Sequence, residues 1–351
     1  MTLVEMHSWN VGRGEATIIA SHRLGRVHVV DFGTNSPLQS YVRKNVKRAS
    51  YIVNSSTYID VVITHLHYDH YSLIPHVLGS KRIDTLYLPV IPEPKDVRVI
   101  GSYLLAFEIV ALQMLEKRGV VLDRIVDRVK MIRPVARDDI IRIADDHVFA
   151  RVIWPPRQLP PEIVEKLLKE LKPVYEEARR LAEKMGWVSE VNRLREYIEK
   201  IMSRGVEAER SIEVESASYL LPPVPERPDL IQEVLEAEIV LVLDRIRNAL
   251  NDLSLVIKYY HCRDRALALI PGDNSENILN HLSQLEASEL RNPCLRHVVF
   301  MRGAHHGTYF GDYLDQHRAL YVWLSWTRGI KQPIHPGYLS IAHIVAVAQT
   351  T

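Results

Sequence analysis

The segment at positions 64–70, Thr-His-Leu-His-Tyr-Asp-His, constrains the fold of this chain most. It directly follows the apolar run Val61-Val62-Ile63, which predicts a buried strand. A loop at the end of a buried strand has a fixed base and can aim several side chains at one point. Imidazole nitrogens and carboxylate oxygens suit zinc and similar divalent ions. The segment therefore predicts a metal site, with four candidate ligands: His65, His67, Asp69 and His70.

Short apolar runs bounded by turn residues recur on both sides of this segment. They predict strands at 3–8, 15–20, 26–31, 61–63, 84–88 and 148–153, and again at 254–260, 266–270, 297–301 and 320–324. Helical periodicity covers 102–118 and points to an end at Gly119. Strands that alternate with helices are typical of the α/β class.

Residues 157–247 differ from the rest and predict a helical insertion. Apolar residues recur there at steps of three and four, as on one face of a helix: Ile163, Leu167, Leu171, Val174, Ala178, Leu181, Met185 and Val188. Pro173 predicts a kink or a new helix start, and Gly186 predicts a turn before a second helix that ends near Met202. A proline-rich loop, 222–228, follows. The insertion is either a solvated arm, or a lid or surface that binds a second copy or another protein.

Composition excludes several classes of protein. The 351 residues carry 44 Lys and Arg against 43 Asp and Glu, a formal net charge of +1, so any contact with nucleic acid would need a local basic patch. Cys262 and Cys294 form no close pair, which favours free thiols and a reducing compartment. The N-terminus lacks the pattern of a signal peptide, and no apolar run reads as long enough to span a bilayer. We expect a soluble, cytoplasmic protein with no membrane partner.

The spacing H-x-H-x-D-H after a strand resembles the signature of metallo-β-lactamase-fold hydrolases. Three further segments resemble that family in the same order along the chain: Val30-Asp31-Phe32-Gly33, Pro271-Gly272-Asp273 and Ala304-His305-His306-Gly307. The resemblance implies a four-layer αββα sandwich, here formed by 1–156 and 248–351, with 157–247 inserted.

A narrower resemblance is to the hydrolase domain of the ComEC/Rec2 competence proteins. The segment 10–16, Asn-Val-Gly-Arg-Gly-Glu-Ala, is similar to the "DVGQGDA" opening of that group. The segment 251–256, Asn-Asp-Leu-Ser-Leu-Val, is similar to its "N-[ND]-x-S-L-V" strand, and His335-Pro336 to its closing "H-P". The ordered set covers nearly the whole chain except the insertion. The membrane-channel part of those proteins is absent, so DNA transport is not implied.

Carried over residue by residue, the resemblance implies a site for two divalent ions, zinc most readily and manganese as the other candidate. His65 and His67 would hold one ion. Asp69 and His70 would hold the other, with His305 or His306, and Asp273 would bridge both. Asp31 would orient the loop from outside the ligand shell, unless it is only a turn carboxylate.

One family feature is missing. Many members carry a histidine before the strand that leads to the bridging aspartate, whereas this chain has Asn248-Ala249-Leu250-Asn251-Asp252. Asn251, Asp252 or water could complete the first ion, or both residues could serve as turn residues. Three further histidines read as surface or structural ones: His76, His147 and His261. His335 lies in a loop, where it could bind an anionic group or protonate a leaving group, or serve as an ordinary loop residue.

These residues predict a metal-dependent hydrolase that acts through a hydroxide bridged by two ions. Two cations favour an anionic substrate, so we expect a phosphodiesterase or nuclease, with Asp69, Asp273 and His335 as the catalytic residues. The basic run Arg43, Lys44, Lys47 and Arg48 could contact phosphates, although a solvated helix face is the commoner explanation of such a run. Ser254 lacks the setting of a nucleophile. Two alternatives stay open: a hydrolase of small phosphoesters, thioesters or lactams, and a metal-stabilised binding module in a defence or DNA-processing complex.

Overall fold

The computed structural model describes residues 4–35, 39–116, 121–144, 147–203, 232–262, 264–326 and 332–348. The strands are β1 Val4–Ser8, β2 Ala16–Ser21, β3 Arg26–Phe32, β4 Tyr58–Val62, β5 Ile83–Pro89, β6 Val129–Val135, β7 Ile140–Ala144, β8 Val148–Trp154, β9 Val256–His261, β10 Arg265–Ile270, β11 His297–Arg302, β12 Arg318–Leu324 and β13 Ala342–Val347. The helices are α1 Ser40–Ser55, α2 Tyr68–Tyr71, α3 Ile74–Leu78, α4 Lys95–Glu116, α5 Val121–Val126, α6 Pro161–Met185, α7 Val188–Ser203, α8 Gln232–Leu250, α9 Glu276–Leu285, α10 Ala287–Leu290, α11 Pro293–Arg296, α12 Asp312–Asp315 and α13 Gly337–Ile341.

The strands form two mixed sheets, so the predicted α/β class is confirmed. One sheet has the order β1-β2-β3-β4-β5-β6, and the other has the order β13-β12-β11-β10-β9-β8-β7. In the first sheet β3, β4, β5 and β6 run parallel. In the second, β10, β11, β12 and β13 do. The carboxyl ends of parallel strands gather at one edge of a sheet, where open α/β sheets bind their ligands.

Alternation along the strands separates two apolar cores. Ile19, Val30 and Val62 of the first sheet pack with Ile257 and Ile270 of the second, so the inner faces of the sheets meet. Their chain neighbours point the other way and join a larger core with the helices. The order of layers is therefore helices, sheet, sheet, helices.

The predicted strands all occur, with ends that differ by up to three residues. The strands β6, β7 and β13 were not predicted from the sequence, and all three are edge strands. An edge strand is only partly covered, so its apolar alternation is weak, and β6 also contains Pro134, which a central strand would exclude. The helix predicted at 102–118 begins earlier, at Lys95, and its expected end at Gly119 lies outside the described residues.

The helices of the predicted insertion pack against α4. The predicted apolar stripe is buried from Ile163 to Leu181, whereas Val188 is exposed and begins α7. Helix α6 continues through Pro173 to a left-handed Gly186, so no new helix starts at the proline. Tyr103 and Phe107 of α4 contact Tyr175 and Trp187, with ring centroids 5.0 and 6.3 Å apart. These helices thus share the larger core. The boundary predicted at 247 falls inside α8, and the loop 222–228 lies outside the described residues.

One helix, Lys95–Met114, is long and apolar enough to cross a membrane, whereas the sequence predicted no run of that length. In this protein 83% of its apolar window is buried. Because α6, α7 and α8 cover it, its apolar character has an explanation within the fold. Cys262 and Cys294 are both free, as expected.

Candidate metal site

The predicted ligands gather where the parallel strands of both sheets end. The loop 63–67 and α2 follow β4, and Asp273 follows β10. His305 and His306 follow β11, and their loop is tied to the Asp273 turn by a hydrogen bond from the His305 amide to the Gly272 carbonyl at 3.3 Å. The two sheets therefore each contribute a side of one site.

Three residues form the tightest group. The potential ligand atoms of His65, His70 and Asp273 all lie within 4.8 Å of one another. Asp273 Oδ2 is 3.7 Å from His65 Nε2 and 3.6 Å from His70 Nε2. All three residues are buried, so the arrangement is not an exposed charge cluster. The structure thus brings together two of the four ligands from 65–70 with the aspartate expected to bridge.

Several imidazole nitrogens in and beside this group have no hydrogen-bond partner within the part of the chain that the structure describes. The Nε2 atoms of His65, His67 and His70 are buried and have no hydrogen-bond partner among the described residues. A buried polar atom without a partner costs about 1–3 kcal/mol. Burial, and then the charge of His70, lowers the pKa of His65 to about 3, so its ring is neutral and offers a lone pair. A lone pair of His65 that faces the carboxylate of Asp273 could bind a divalent ion.

Asp31 contacts the Nδ1 side of the His70 ring. It accepts hydrogen bonds from the Thr64 amide at 2.8 Å, from Thr64 Oγ1 at 2.9 Å and from Arg302 Nη2 at 2.7 Å. His70 Nδ1 lies 3.1 Å from Asp31 Oδ2. Burial opposes the charge on Asp31, but His70 and Arg302 outweigh it and lower its pKa to about 2. A carboxylate on Nδ1 leaves Nε2 free for a ligand, which is the orienting role expected of Asp31.

His306 joins a second group around Asp69. Its Nε2 lies 3.6 Å from Asp69 Oδ2, and its Nδ1 lies 3.0 Å from Ser325 Oγ and 3.5 Å from Glu15 Oε1. Burial opposes a charge on His306, but Asp69 and Glu15 raise its pKa to about 10. Its neighbour His305 instead has its Nδ1 2.8 Å from Thr308 Oγ1 and stacks on Tyr309. His306 therefore faces Asp69, whereas His305 packs against Thr308 and Tyr309.

His67 points to a residue that the sequence reading did not consider. Its Nε2 is 3.9 Å from Oε2 of Glu108, on α4, and the other carboxylate oxygen accepts from Arg247 Nε at 2.9 Å. Burial raises the pKa of Glu108 to about 7, although Arg247 acts against it. Arg247 belongs to α8, so the helices packed on α4 contribute to the wall of the site.

The backbone is strained at the site. Asp31, His305 and His306 have φ values of 51°, 44° and 61°, in the left-handed region that non-glycine residues seldom occupy. Gly33 is needed for close approach, since a Cβ there would lie 2.5 Å from the Asp69 carbonyl carbon. Residues in such conformations cluster at functional sites because surrounding contacts must hold them.

The remaining candidates lie at the margin or elsewhere. Asn251 is buried, and its Oδ1 has no hydrogen-bond partner within the described ranges. Asp252 instead accepts a hydrogen bond from the Ser275 amide at 2.8 Å, just before α9.

His335 is exposed, stacks on Phe310 and donates its amide to the Gly307 carbonyl at 2.9 Å. His76 and His147 are exposed and His261 ends β9, and the basic run lies on the exposed face of α1.

Comparison with known proteins gives no match for this chain, either among protein-family models or among curated proteins.

Four residues of the candidate site were not predicted from the sequence: Glu15, Glu108, Arg247 and Arg302. Glu15 lies in the segment 10–16, whose likeness to the competence group was its only signal. The other three lie in ordinary helix and strand patterns. Their partners are far away in the chain, with 139 positions between Glu108 and Arg247 and 271 between Asp31 and Arg302, so no local pattern could have found them.

Proposed function

We propose that this protein is a metal-dependent hydrolase of the metallo-β-lactamase fold, and that it cleaves phosphodiesters. One observation carries the proposal: two buried, unbonded imidazole nitrogens, those of His65 and His70, lie beside Asp273 at the carboxyl ends of parallel strands. The packed sheets covered by helices are compatible with that fold. The order of motifs along the chain supports the same assignment.

The chain's own residues would prepare this site for two divalent ions. His65 and His67 would hold one ion, His70, Asp69 and His306 the other, and Asp273 both. When bound, such ions lower the pKa of water and neutralise charge on a phosphoryl oxygen. Asp31 fixes the ring of His70, and Glu15 with Ser325 fixes the ring of His306. No serine or cysteine nucleophile is required.

Elemental analysis and a substrate screen test this function together. We expect up to two ions of zinc or manganese per chain, and cleavage among single-stranded DNA, duplex DNA, RNA and bis-p-nitrophenyl phosphate. Asp273→Ala, purified in parallel, should lose turnover, whereas His335→Ala should weaken it less because His335 is exposed. Equal cleavage by wild type and Asp273→Ala would assign the activity to a contaminant. Hydrolysis of only a thioester or lactam would keep the site but replace the substrate.

A further inference from the structure

Besides the shared Asp273, the first of the two proposed ion positions has only the imidazoles of His65 and His67, with Asn251 as the remaining candidate from 248–252. The segment 248–252 supplies no histidine, and Asp252 is engaged with the Ser275 amide. His67 also stands apart from the compact group of His65, His70 and Asp273. Its free nitrogen faces α4 instead, where Glu108 lies.

We propose that Glu108 is a metal ligand that shares an ion with His67, and that Arg247 positions its carboxylate. The inference rests on the proposed function, because it concerns the same site. It adds a residue that no sequence motif indicates and links the helices on α4 to the metal chemistry.

The distance between the two free atoms supports a shared ion. Glu108 Oε2 and His67 Nε2 are 3.9 Å apart, too far for a hydrogen bond. Zinc binds imidazole nitrogen and carboxylate oxygen at about 2.0–2.2 Å each, so two ligands of one ion can lie up to about 4.2 Å apart. Both atoms are buried and have no hydrogen-bond partner in the described part of the chain. One cation between them would satisfy both.

The surroundings of Glu108 select one of its oxygens. Arg247 Nε donates to Oε1 at 2.9 Å, which leaves Oε2 directed at His67. Arg247 is itself 3.6 Å from Asp244 on the same helix, so it is also shared with a second carboxylate. A carboxylate that is 1% exposed with one free oxygen is costly to bury. Groups that hold a ligand in this way usually stand just outside the ligand shell.

The ligand chemistry predicts which ions the position accepts. Two imidazoles with one carboxylate form a set that zinc uses in hydrolases. Carboxylate oxygen also suits manganese better than a third imidazole would. A Glu108→His variant should therefore shift the relative affinity from manganese toward zinc.

The experiment compares wild type with Glu108→Gln, which keeps the shape and removes the charge. Zn²⁺ and Mn²⁺ are titrated by calorimetry, and thermal unfolding is followed with and without each ion. We expect Glu108→Gln to keep one ion and to bind the other at least about tenfold more weakly, since even residues outside a ligand shell contribute about 10–100-fold. The difference in midpoint between the two proteins should be larger with metal than without it, because only the loss of a ligand depends on the ion.

Asp60→Asn is the matched control, and Arg247→Gln tests positioning. Asp60 is also 1% exposed, lies 3.1 Å from an arginine and has a free oxygen, but it lies in the middle of β4, paired with His28. Asp60→Asn should leave both ions unaffected. Arg247→Gln should weaken only the ion that Glu108 binds, and adding it to Glu108→Gln should cause no further loss.

Two outcomes would overturn the inference in distinguishable ways. If Glu108→Gln binds two ions as wild type does and loses equal stability with and without metal, Glu108 is only the structural partner of Arg247. The proposed function then survives. If wild type binds no ion at all, both the proposed function and this inference fail.

Discussion

The two ends of β3 and β4 carry the same three residue types to different effect. At the amino end, Asp60 lies 3.1 Å from His28 and 3.1 Å from Arg26. At the carboxyl end, Asp31 lies 3.1 Å from His70 and 2.7 Å from Arg302. Both aspartates and both histidines are buried. A buried histidine–aspartate–arginine group therefore does not identify a functional site.

The difference lies in which chain segments meet. His28 and Asp60 are directly paired across neighbouring strands, so that group belongs to one sheet. The Asp31 group takes Arg302 from the other sheet, and His70 presents its second nitrogen to Asp273. Both ends have buried imidazole nitrogens without a hydrogen-bond partner among the described residues, including both nitrogens of His28. Of the two ends, the carboxyl end alone combines residues of both sheets with left-handed backbone.

The largest effect should follow from removing Asp273. Asp273→Ala deletes the carboxylate shared by His65 and His70, and should reduce phosphodiesterase turnover at least about 100-fold, which is about 2.7 kcal/mol of transition-state stabilisation. Asp60→Asn, in the middle of β4 and paired with His28 of β3, should leave turnover unchanged. Steady-state rates measured with zinc and manganese check both. Equal losses in the two variants would contradict a functional distinction between the ends.

The next largest effect should be the change in thermal stability when metal is removed. An ion that binds only the folded protein stabilises it by about 2.7 kcal/mol at 100 times its dissociation constant. A chelator should therefore lower the thermal midpoint of wild type and of Asp60→Asn by the same amount, but leave that of Asp273→Ala nearly unchanged. Scanning calorimetry measures this. A chelator effect that persists in Asp273→Ala would show that the ion binds elsewhere.

Local sequence patterns predicted the central strands and part of the candidate site. The segment 64–70 follows a buried strand, and the Asp273 and His306 turns follow two others, so strand ends indicated where ligands would meet. The edge strands β6, β7 and β13 were missed because one-sided pairing leaves them weakly patterned. Glu108 reads as one polar residue in an apolar helix. Its role depends on the packing of α8 on α4, which brings Arg247 to it.

A smaller effect is expected at Asp31, which contacts ligands without being one. Asp31→Asn keeps the shape but removes the charge that faces His70 and Arg302. The affinity for one ion should fall by about 10–100-fold, while Asp60→Asn retains full affinity. Calorimetric titration at a temperature where both variants are folded makes the measurement. Unchanged affinity in Asp31→Asn would reduce the Asp31 group to a structural one, like that at the amino end.

The smallest effect concerns the amino end and pH. Burial opposes the charge on Asp60, but His28 and Arg26 outweigh it, so its pKa in the folded protein is lowered. A carboxyl group with a lowered folded pKa contributes stability above its unfolded pKa of about 3.9, and loses it as pH falls through the folded value. The difference in unfolding free energy between wild type and Asp60→Asn should therefore shift against wild type as pH falls below about 4. Because all other carboxyl groups are common to both proteins, denaturant titrations at several pH values isolate this one. The measurement is made without metal, so that ion binding at the carboxyl end does not contribute. A difference that stays constant from neutral to acidic pH would mean that Asp60 gains nothing from its charge.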